Sequence, residues 1–548
     1  MTMKSGIVSV AAISAAAWLF APLPVVRAET ASKPSADRCA ALRDTAISRG
    51  QIGLPTNGAV ITEAHVTGDT AGPAGLCLVQ GKIAPINPGS PPIHFQLNLP
   101  ASWNHKAVQL GGGGFNGFLV TGRDPNFIPP AQEPVRLGYV TFGSDSGHLG
   151  GGGSPRVATG DAAFAMDAEA RENFAYAQIK KTHDTALTIV AAYYGAAPRR
   201  TYFYGNSQGG HEALLAAQRF PQDYDGVVAI HPAYNFVALQ LGGLAISKSI
   251  YRDPAGWLDA KVLSALGTAV VNTCDKLDGL KDGVIANLAQ CRRAFRVEAL
   301  ACRAQEAAHS SRTCLTASQI RAIKEIDAPA DLGLTISSSD KFGGWPIIEG
   351  AFSYRTPFGF GAQAVPASPP GRDDSFTFLM ADQGIRYLMM QDPALNTLTF
   401  TPAQHVDSLQ RASALIDVTD ANFDRFHARG GKMLLMHGSV DMAIPPANSV
   451  ALYQRLQQRY GKSLDLFAQF YIAYGFGHGE GAFQAEWDSL NELDRWVESG
   501  KAPGPQQIRD RAGDRAGRTM PLCRYPLWPR HTGKGDANSA SSFRCVAR

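Results

Sequence analysis

The pentapeptide Gly205-Asn206-Ser207-Gln208-Gly209 is the part of the sequence best suited to covalent chemistry. It follows the strand-like segment Thr201 to Tyr204 and precedes the helical segment HEALLAAQRF. A serine in such a strand-turn-helix junction has a strained backbone that small neighbours tolerate, and its hydroxyl projects above the sheet. Since this match to G-x-S-x-G stands alone in the chain, its placement predicts that Ser207 is a nucleophile.

A nucleophilic serine needs a general base and an acid that orients the base, and after a turn of this type both lie downstream in the order acid, base. Asp441 follows the apolar strand segment Met433 to Met436, at the strand end where ligand-facing loops of a parallel sheet gather. His478 lies in the glycine-rich loop after the apolar segment Leu466 to Ala473. The sequence therefore predicts a triad of Ser207, His478 and Asp441.

Two other histidines are rival bases. His437 precedes the acid and lies at the strand end itself, which breaks the expected order, and His211 lies too close to the serine on the following helix. Most histidines in a chain with 13 of them are structural or lie on the surface, so order and location decide in favour of His478.

The glycine run Gly111 to Gly114, at the end of the strand-like segment Lys106 to Leu110, is a candidate for the second half of an oxyanion hole. In that arrangement one N–H comes from the residue after the nucleophile, here Gln208, and another from the glycine loop, here Gly114. A flexible or close-packed loop without this role is the alternative.

A second cluster of polar residues is the segment CDKLDGLKDGV, which contains Asp275, Asp278 and Asp282. Three neighbouring carboxylates repel one another unless water or a cation separates them, and calcium prefers such all-oxygen ligands. Backbone carbonyls near Leu280 and Val284 would complete the shell, although the spacing differs from an EF-hand. Solvated turns without an ion are the alternative.

The elements around these residues alternate as strand, long helix from Ala162 to Tyr194, strand, helix and the strand Gly226 to Ile230. This order predicts an α/β fold with a doubly wound, mostly parallel sheet, of the α/β-hydrolase type given the serine turn. The alternation stops at about residue 234 and resumes at about 420. We therefore expect a catalytic domain of residues 29–233 and 420–548, with an inserted domain of residues 234–419 that contains the aspartate loop.

The N-terminus and the composition indicate the compartment. Lys4, the apolar run from Ile7 to Leu23 and Val26-Arg27-Ala28 predict a signal peptide of residues 1–28, with an uncleaved anchor helix as the alternative. Without Lys4 and Arg27 the net charge of +4 falls to about +2, too low for a nucleic-acid-binding surface. No later apolar run is long enough to span a membrane, and we expect a secreted or periplasmic protein.

The eight cysteines form an even set, which in an exported chain favours disulfides. Their spacing suggests four local bridges. A zinc site is the weaker alternative, since no pair has the C-x-x-C spacing.

With these motifs the chain resembles the tannase and feruloyl esterase family of secreted α/β-hydrolases. The segments that carry the resemblance are GGGGFNG, SDSGH, YFYGNSQGG, CDKLDGLKDGV, RYLMMQDP, GGKMLLMHGSVDMAIPP, WVESGKAP and PLCRYP. The resemblance implies a structural calcium held by Asp275, Asp278, Leu280, Asp282 and Val284 in an inserted lid. It also implies the bridges Cys39–Cys77, Cys274–Cys291, Cys302–Cys314 and Cys523–Cys545.

The implied activity is hydrolysis of esters of hydroxycinnamic or other phenolic acids, with a small aromatic ester or a plant-polymer-derived ester as substrate. A galloyl ester hydrolase, a terephthalate monoester hydrolase and a noncatalytic binding protein are the alternatives.

The chain departs from the family at Asn206 and Gly479, where the family commonly has two disulfide-bonded cysteines. The aromatic lid residues could line a binding surface or pack in a core: Trp345, Phe352, Phe358, Phe376 and Phe378.

Overall fold

The computed structural model of the 548-residue chain describes residues 1–2, 36–68, 75–123, 125–150, 160–303, 314–336, 339–352, 359–371, 373–418, 420–513 and 515–547. The predicted signal peptide, residues 1–28, lies outside the described residues apart from residues 1 and 2. No described helix is both long enough and apolar enough to cross a bilayer.

A ten-stranded sheet forms the centre of the molecule, in the order β1-β2-β3-β4-β6-β5-β7-β8-β11-β12. Neighbouring strands in the first part of this order, from β1 through β4 to β6, are antiparallel. Neighbouring strands in the second part, from β6 through β5, β7, β8 and β11 to β12, are parallel. The sheet strands are β1 (Ala46–Ile47), β2 (Ala59–Thr67), β3 (Leu76–Ile83), β4 (Ile93–Pro100), β5 (Lys106–Leu110), β6 (Val140–Ser144), β7 (Arg200–Asn206), β8 (Gly226–Ile230), β11 (Lys432–Gly438) and β12 (Ala468–Ala473).

Smaller sheets complete the described strands. They are the hairpin of β9 (Ala330–Ile336) and β10 (Ser339–Phe342), the three-stranded sheet of β13 (Ala485–Glu486), β14 (Gln506–Asp510) and β15 (Thr519–Leu522), and the hairpin of β16 (Trp528–His531) and β17 (Phe543–Val546). The α-helices are α1 (Ala36–Ala40), α2 (Ala168–Glu172), α3 (Gln178–Tyr194), α4 (Gln208–Arg219), α5 (Phe236–Tyr251), α6 (Ala260–Cys274), α7 (Leu288–Ala294), α8 (Ala317–Asp327), α9 (Phe376–Gln383), α10 (Val406–Ile416), α11 (Asp424–Ala428), α12 (Pro446–Tyr460) and α13 (Ser489–Ser499).

Helices cover both faces of the parallel strands, as successive residues of β7 demonstrate. Tyr202 donates a hydrogen bond of 2.7 Å to Asp494 on α13. Phe203 points the other way and packs on Tyr224, whose ring contacts His183 on α3. Because side chains alternate between the faces of a strand, α13 and α3 lie on opposite sides of the sheet. This confirms the predicted α/β fold.

The chain leaves the central sheet after β8 and returns at β11. The region between these strands is rich in helices, from α5 to α11, and most of its apolar side chains belong to a hydrophobic cluster separate from that of the parallel strands. Its members include Trp345, Phe352 and Phe378, which are buried. The domain boundaries at 233/234 and 419/420 stay predictions.

The long helix predicted within Ala162 to Tyr194 is present and ends at Tyr194, and a π-helical turn lies inside it. A 3-10 turn (Ala163–Met166), α2, a π-helical turn (Asn173–Ala177) and α3 follow one another. A π turn contains one extra residue, which shifts the side-chain register. The shift accompanies two buried polar side chains: Asn173 accepts a hydrogen bond from Lys181, and Gln178 accepts one from Ser144. Apolar spacing alone does not reveal these polar contacts.

The Pro/Gly/Arg-rich composition of the tail from Gly500 to Arg518 predicts an irregular segment, and this prediction is wrong because the tail contains strand β14. Ile508 is buried and pairs with Met520 of β15. The glycines, prolines and arginines of the segment disfavour a strand locally. The antiparallel partner supplied by β15 outweighs that local preference.

Four disulfides join Cys39 to Cys77, Cys274 to Cys291, Cys302 to Cys314 and Cys523 to Cys545. These are the pairings that the family resemblance implies, and they leave no free cysteine.

Candidate active site

Ser207 lies in the tight turn between β7 and α4. Its backbone has φ 63° and ψ −120°, a conformation that residues other than glycine rarely adopt. A hydrogen bond from its N–H to the Ile230 carbonyl, 2.9 Å long, holds the turn to β8. A Cβ atom at Gly205 would overlap the Gly209 carbonyl, so the glycines of the motif are required by space. The sequence motif thus encodes a turn that presents the serine hydroxyl at the sheet edge.

The structure brings Ser207, His478 and Asp441 together. The Ser207 hydroxyl donates to Nε2 of His478 over 2.9 Å, and Nδ1–H of His478 donates to Oδ2 of Asp441 over 2.8 Å. The loops after β11 and β12 carry the acid and the histidine, as expected for neighbouring parallel strands. The backbone N–H groups of Ala443 and Ile444 donate to Oδ1 of Asp441 over 2.8 and 2.9 Å. These two bonds fix the plane of the carboxylate.

Burial and charge set the protonation of this pair. Burial lowers the pKa of His478, but the Asp441 carboxylate outweighs it, and the net pKa lies above 6.5. Burial raises the pKa of Asp441, but the positive charge of protonated His478 and the hydrogen bonds from His437 and His478 have a larger effect. The pKa of Asp441 therefore lies well below 3.8. The arrangement therefore has an ionised acid and an imidazole that gains a proton readily.

The two rival histidines have partners other than Ser207, and Nε2 of His437 also lies 3.3 Å from Oδ2 of Asp441. His437 donates from Nε2 to the Ile444 carbonyl over 2.8 Å and accepts from Ser449 at Nδ1 over 2.7 Å. Nε2 of His211 donates to the Ile416 carbonyl over 2.6 Å, and burial lowers the pKa of His211 to about 3. Both rings are fully buried, and neither contacts the serine hydroxyl.

His231 is a site residue that the sequence reasoning missed. Its Nδ1–H donates to Oδ1 of Asn206 over 2.8 Å, and its ring lies 5.2 Å from that of His478 and 5.1 Å from that of Phe476. Burial lowers its pKa well below 6.5, so the ring is neutral. The contact links the serine loop to the histidine loop, where the family resemblance would imply a disulfide. His231 directly follows β8, and the rule that ligand loops lie at the carboxyl ends of strands could have identified it.

The glycine loop lies beside the serine. The N–H of Gly111 donates to the Tyr204 carbonyl over 3.0 Å, and the N–H of Gly209 donates to the Gly112 carbonyl over 2.9 Å. Gly113, Gly114 and Gln208 line the cavity in front of Ser207. The two predicted oxyanion-hole residues, Gln208 and Gly114, are therefore near the serine hydroxyl.

A cavity of about 210 Å³ opens above Ser207 and His478. Its walls are mostly apolar, and α5 and α9 of the inserted region form much of them: Phe236, Leu239, Gln240, Gly243, Phe376, Thr377 and Met380. Of the five aromatic residues proposed from the sequence, only Phe376 lines this cavity within the described chain. Trp345, Phe352 and Phe378 are buried in the core, and Phe358 lies outside the described residues.

The aspartate loop has the chemistry of a cation site. Asp278 is buried, and burial raises its pKa to about 7, an effect that the charges of Asp282 and Asp275 increase. Arg518 provides a positive partner for Asp282 at 3.4 Å. Such a set of buried carboxylates fits an oxygen-binding cation.

The carboxylates of Asp275, Asp278 and Asp282 do not form one of the described clusters of possible metal ligands. In the described part of the chain, only two groups of three possible ligand residues come within 4.8 Å of one another, namely His231, Asp441, His478 and His183, Asp184, Asp223. The backbone N–H groups of Asp282 and Gly283 instead donate to Asp275 over 3.1 and 3.0 Å. Backbone hydrogen bonds within the loop therefore hold Asp275.

Comparisons with known proteins agree with this geometry. The family model "Tannase and feruloyl esterase" matches residues 77–546. An uncharacterised esterase of Agrobacterium fabrum is 35% identical over 96% of this chain and 96% of its own. The mono(2-hydroxyethyl) terephthalate hydrolase of Piscinibacter sakaiensis is 30% identical over 93% of this chain and 91% of its own.

The fold matches as well. The crystal structure of feruloyl esterase B from Aspergillus oryzae superposes with a TM-score of 0.75 at 21% identity, over 93% of this chain and 100% of that one. The family model matches most of the chain, and two relatives are at least 30% identical to it along almost its whole length, so these comparisons establish the family. The chain is a carboxylic ester hydrolase and belongs to the tannase and feruloyl esterase family.

Proposed function

We propose that the chain hydrolyses esters of aromatic acids through an acyl-enzyme on Ser207. His478 takes the proton of the Ser207 hydroxyl as the oxygen attacks the ester carbonyl, and it returns the proton to the leaving alcohol. Water then attacks the acyl carbon with His478 again as base; the bond from the acyl carbon to Ser207 breaks, His478 returns the proton to the Ser207 oxygen, and the acid leaves. Asp441 holds the imidazole in the required tautomer and stabilises the imidazolium.

The hydrogen-bond relay from Ser207 through His478 to Asp441 is the observation that carries this proposal. The nearby N–H groups of Gln208 and Gly114 support a role in binding the oxyanion, where donors held in place stabilise the developing charge. A noncatalytic binding protein has no need for such a relay.

The cavity supports an aromatic acyl group. Phe236, Leu239 and Met380 give it apolar walls, while Gln240 and Thr377 add polar groups that could bond a ring substituent. Its volume of about 210 Å³ suits a single-ring acid. We infer that the acid is hydroxycinnamic or another phenolic acid, released from a small ester or a plant polymer.

Hydrolysis of a terephthalate monoester is the second candidate. A relative named mono(2-hydroxyethyl) terephthalate hydrolase shares 30% identity over 93% of this chain, which favours it over galloyl ester hydrolysis. The same cavity would then hold the terephthaloyl ring.

We propose further that the aspartate loop binds a structural calcium through the carboxylates of Asp275, Asp278 and Asp282 and the carbonyls of Leu280 and Val284. The raised pKa of Asp278 supports this, since a cation would offset the cost of burying its charge. The four disulfides support export to an oxidising compartment.

Two measurements test the catalytic proposal. A serine-directed fluorophosphonate should label the wild-type chain and fail to label Ser207→Ala, whose kcat should fall about 10⁴- to 10⁶-fold with an unchanged Tm. Labelling that persists in Ser207→Ala would reject Ser207 as nucleophile. Values of kcat/KM for methyl ferulate, chlorogenate, methyl gallate and mono(2-hydroxyethyl) terephthalate then rank the candidate substrates, and a preference for aliphatic esters over all four would reject the aromatic assignment.

A further inference from the structure

A buried carboxylate, Glu212, lies behind the glycine loop, just over one turn of α4 beyond Ser207. It is 1% exposed. Burial raises the pKa of Glu212 to about 7. The groups that lower this pKa are two hydrogen-bond donors, Asn116 and Gly112, and not a cation. A glutamate is rarely buried in this way without a compensating role, because loss of its hydration is costly.

Both carboxylate oxygens of Glu212 are bonded to the glycine loop. Oε2 accepts the backbone N–H of Gly112 over 3.1 Å, and Oε1 accepts the side-chain amide of Asn116 over 2.6 Å. Asn116 also closes the loop, because its backbone N–H donates to the Gly113 carbonyl over 2.8 Å. The carboxylate therefore binds the loop at two points.

The fit between Glu212 and the loop leaves no spare space. A Cβ atom at Gly111 would lie 2.6 Å from Oε2 of Glu212 and 2.6 Å from the Cα atom of Gly209. A Cβ atom at Gly112 would overlap the Asn116 amide. The glycines at these two positions thus allow the loop backbone to lie directly against the carboxylate and the serine turn.

These contacts decide which N–H groups of the loop remain for a ligand. The N–H of Gly111 is bonded to Tyr204, and that of Gly112 is bonded to Glu212. Gly113 and Gly114 come next and line the cavity. A displaced Gly112 would turn the following peptide groups away from the ester carbonyl.

We propose that Glu212, together with Asn116, is a positioning residue that holds the N–H groups of the Gly113–Gly114 segment toward the oxyanion. The inference rests on the proposed function of this loop. The carboxyl group suits the task because its two oxygens accept from two separate N–H groups, which are thus held by one rigid group. Donors fixed before the reaction begins stabilise the transition state more than the bound ester.

The test compares Glu212→Ala with Glu212→Gln, using p-nitrophenyl acetate as the probe ester. Glu212→Ala removes both acceptors, so kcat should fall about 10- to 100-fold while KM stays within about threefold. Glu212→Gln should recover kcat to within about threefold of wild type. Its carbonyl can accept from Gly112, and its amide can donate to the Asn116 carbonyl oxygen once the Asn116 amide turns over, since that oxygen has no partner among the described residues.

Asp417→Asn is the matched control for loss of a buried acid. Burial raises the pKa of Asp417 to about 7, and its carboxylate accepts from the Val237 N–H over 3.1 Å and from the Ser413 hydroxyl over 2.7 Å. This variant should lower the Tm and leave kcat within about threefold of wild type. If Glu212→Ala does not fold, Asn116→Ala removes the second contact alone and should lower kcat about 3- to 10-fold.

Several outcomes would overturn the inference. The first is a wild-type kcat in folded Glu212→Ala or, if that variant does not fold, a wild-type kcat in Asn116→Ala. The second is a kcat loss in Asp417→Asn as large as that in Glu212→Ala. The third is a failure of Glu212→Gln to recover activity. Fluorophosphonate labelling of the wild-type chain separates the two proposals. Without labelling at Ser207 the proposed function itself fails, whereas labelling with a wild-type kcat in Glu212→Ala rejects only the positioning role.

Discussion

Replacement of Asp441 by asparagine gives a sharp test of the triad, because the surroundings fix the orientation of the new amide. The N–H groups of Ala443 and Ile444 both point at Oδ1 of Asp441. If the amide nitrogen faced them, two buried donors would lose their acceptor, at about 1 to 3 kcal/mol each. Nε2 of His437, 3.3 Å from Oδ2, opposes this orientation through one longer contact, so the amide oxygen stays at the two N–H groups and the nitrogen faces His478.

The wrong histidine tautomer follows from that orientation. In the Asp441→Asn variant the side-chain amide nitrogen donates to Nδ1 of His478, so the imidazole proton moves to Nε2, which can no longer accept from Ser207. We expect kcat to fall about 10⁴-fold, which corresponds to about 5.4 kcal/mol of lost transition-state stabilisation. The assay is steady-state hydrolysis of p-nitrophenyl acetate at neutral pH, with the Tm measured in parallel.

Asp145→Asn is the control for this substitution. Asp145 is also fully buried, its Oδ2 lies 2.6 Å from Nδ1 of His94, and its Oδ1 accepts the backbone N–H of Gly147 over 2.9 Å. Its substitution should affect stability and leave kcat within about threefold of wild type. A folded Asp441→Asn variant that keeps more than about a tenth of wild-type kcat would refute the reasoning.

Three further predictions concern pH, calcium and the link between the loops. Because neutral His478 is the base and Asp441 raises its pKa, kcat/KM should fall as the pH drops through an apparent pKa above 6.5, and a profile that is flat down to pH 5 would contradict this base. Removal of calcium by EDTA should lower the Tm by ~2 to 3 °C, the amount expected for about 2.7 kcal/mol of binding in a chain of this length, and calcium but not magnesium should restore it; an unchanged melting curve would count against the site. His231→Ala removes the hydrogen bond to Asn206 and the ring contact with His478, and should lower kcat about 10- to 100-fold, whereas an unchanged kcat would assign the ring to packing alone.

The parts of the site that the sequence could predict are those encoded by local backbone geometry. Ser207 requires a turn with a positive φ and glycines on either side, and that requirement is visible as a short motif. Asp441 and His478 each follow an apolar strand, and parallel strands bring their carboxyl ends to one edge. Order along the chain and strand position were therefore enough to select them over His437 and His211.

The parts that could not be predicted depend on contacts between distant segments. Asn116 and Glu212 meet only after β5 and α4 pack together, and neither lies in a pattern that distinguishes it from a surface residue. The cavity wall formed by Phe376 depends on how the inserted helices fold over the sheet. The strand β14 likewise depends on β15, which lies beside it and supplies its antiparallel partner, although prolines and glycines precede it in the chain.

The contact between Asn206 and His231 determines how the protein responds to its chemical surroundings. None of the four cysteine pairs joins the segments that carry Ser207 and His478. A thiol reductant would therefore loosen the N-terminal strands, the inserted helices and the last hairpin, while the nucleophile and its base stay joined by bonds that thiols do not cleave. Loss of turnover in reducing buffer would accordingly come from loosening of these other segments and not from a break between the nucleophile and its base.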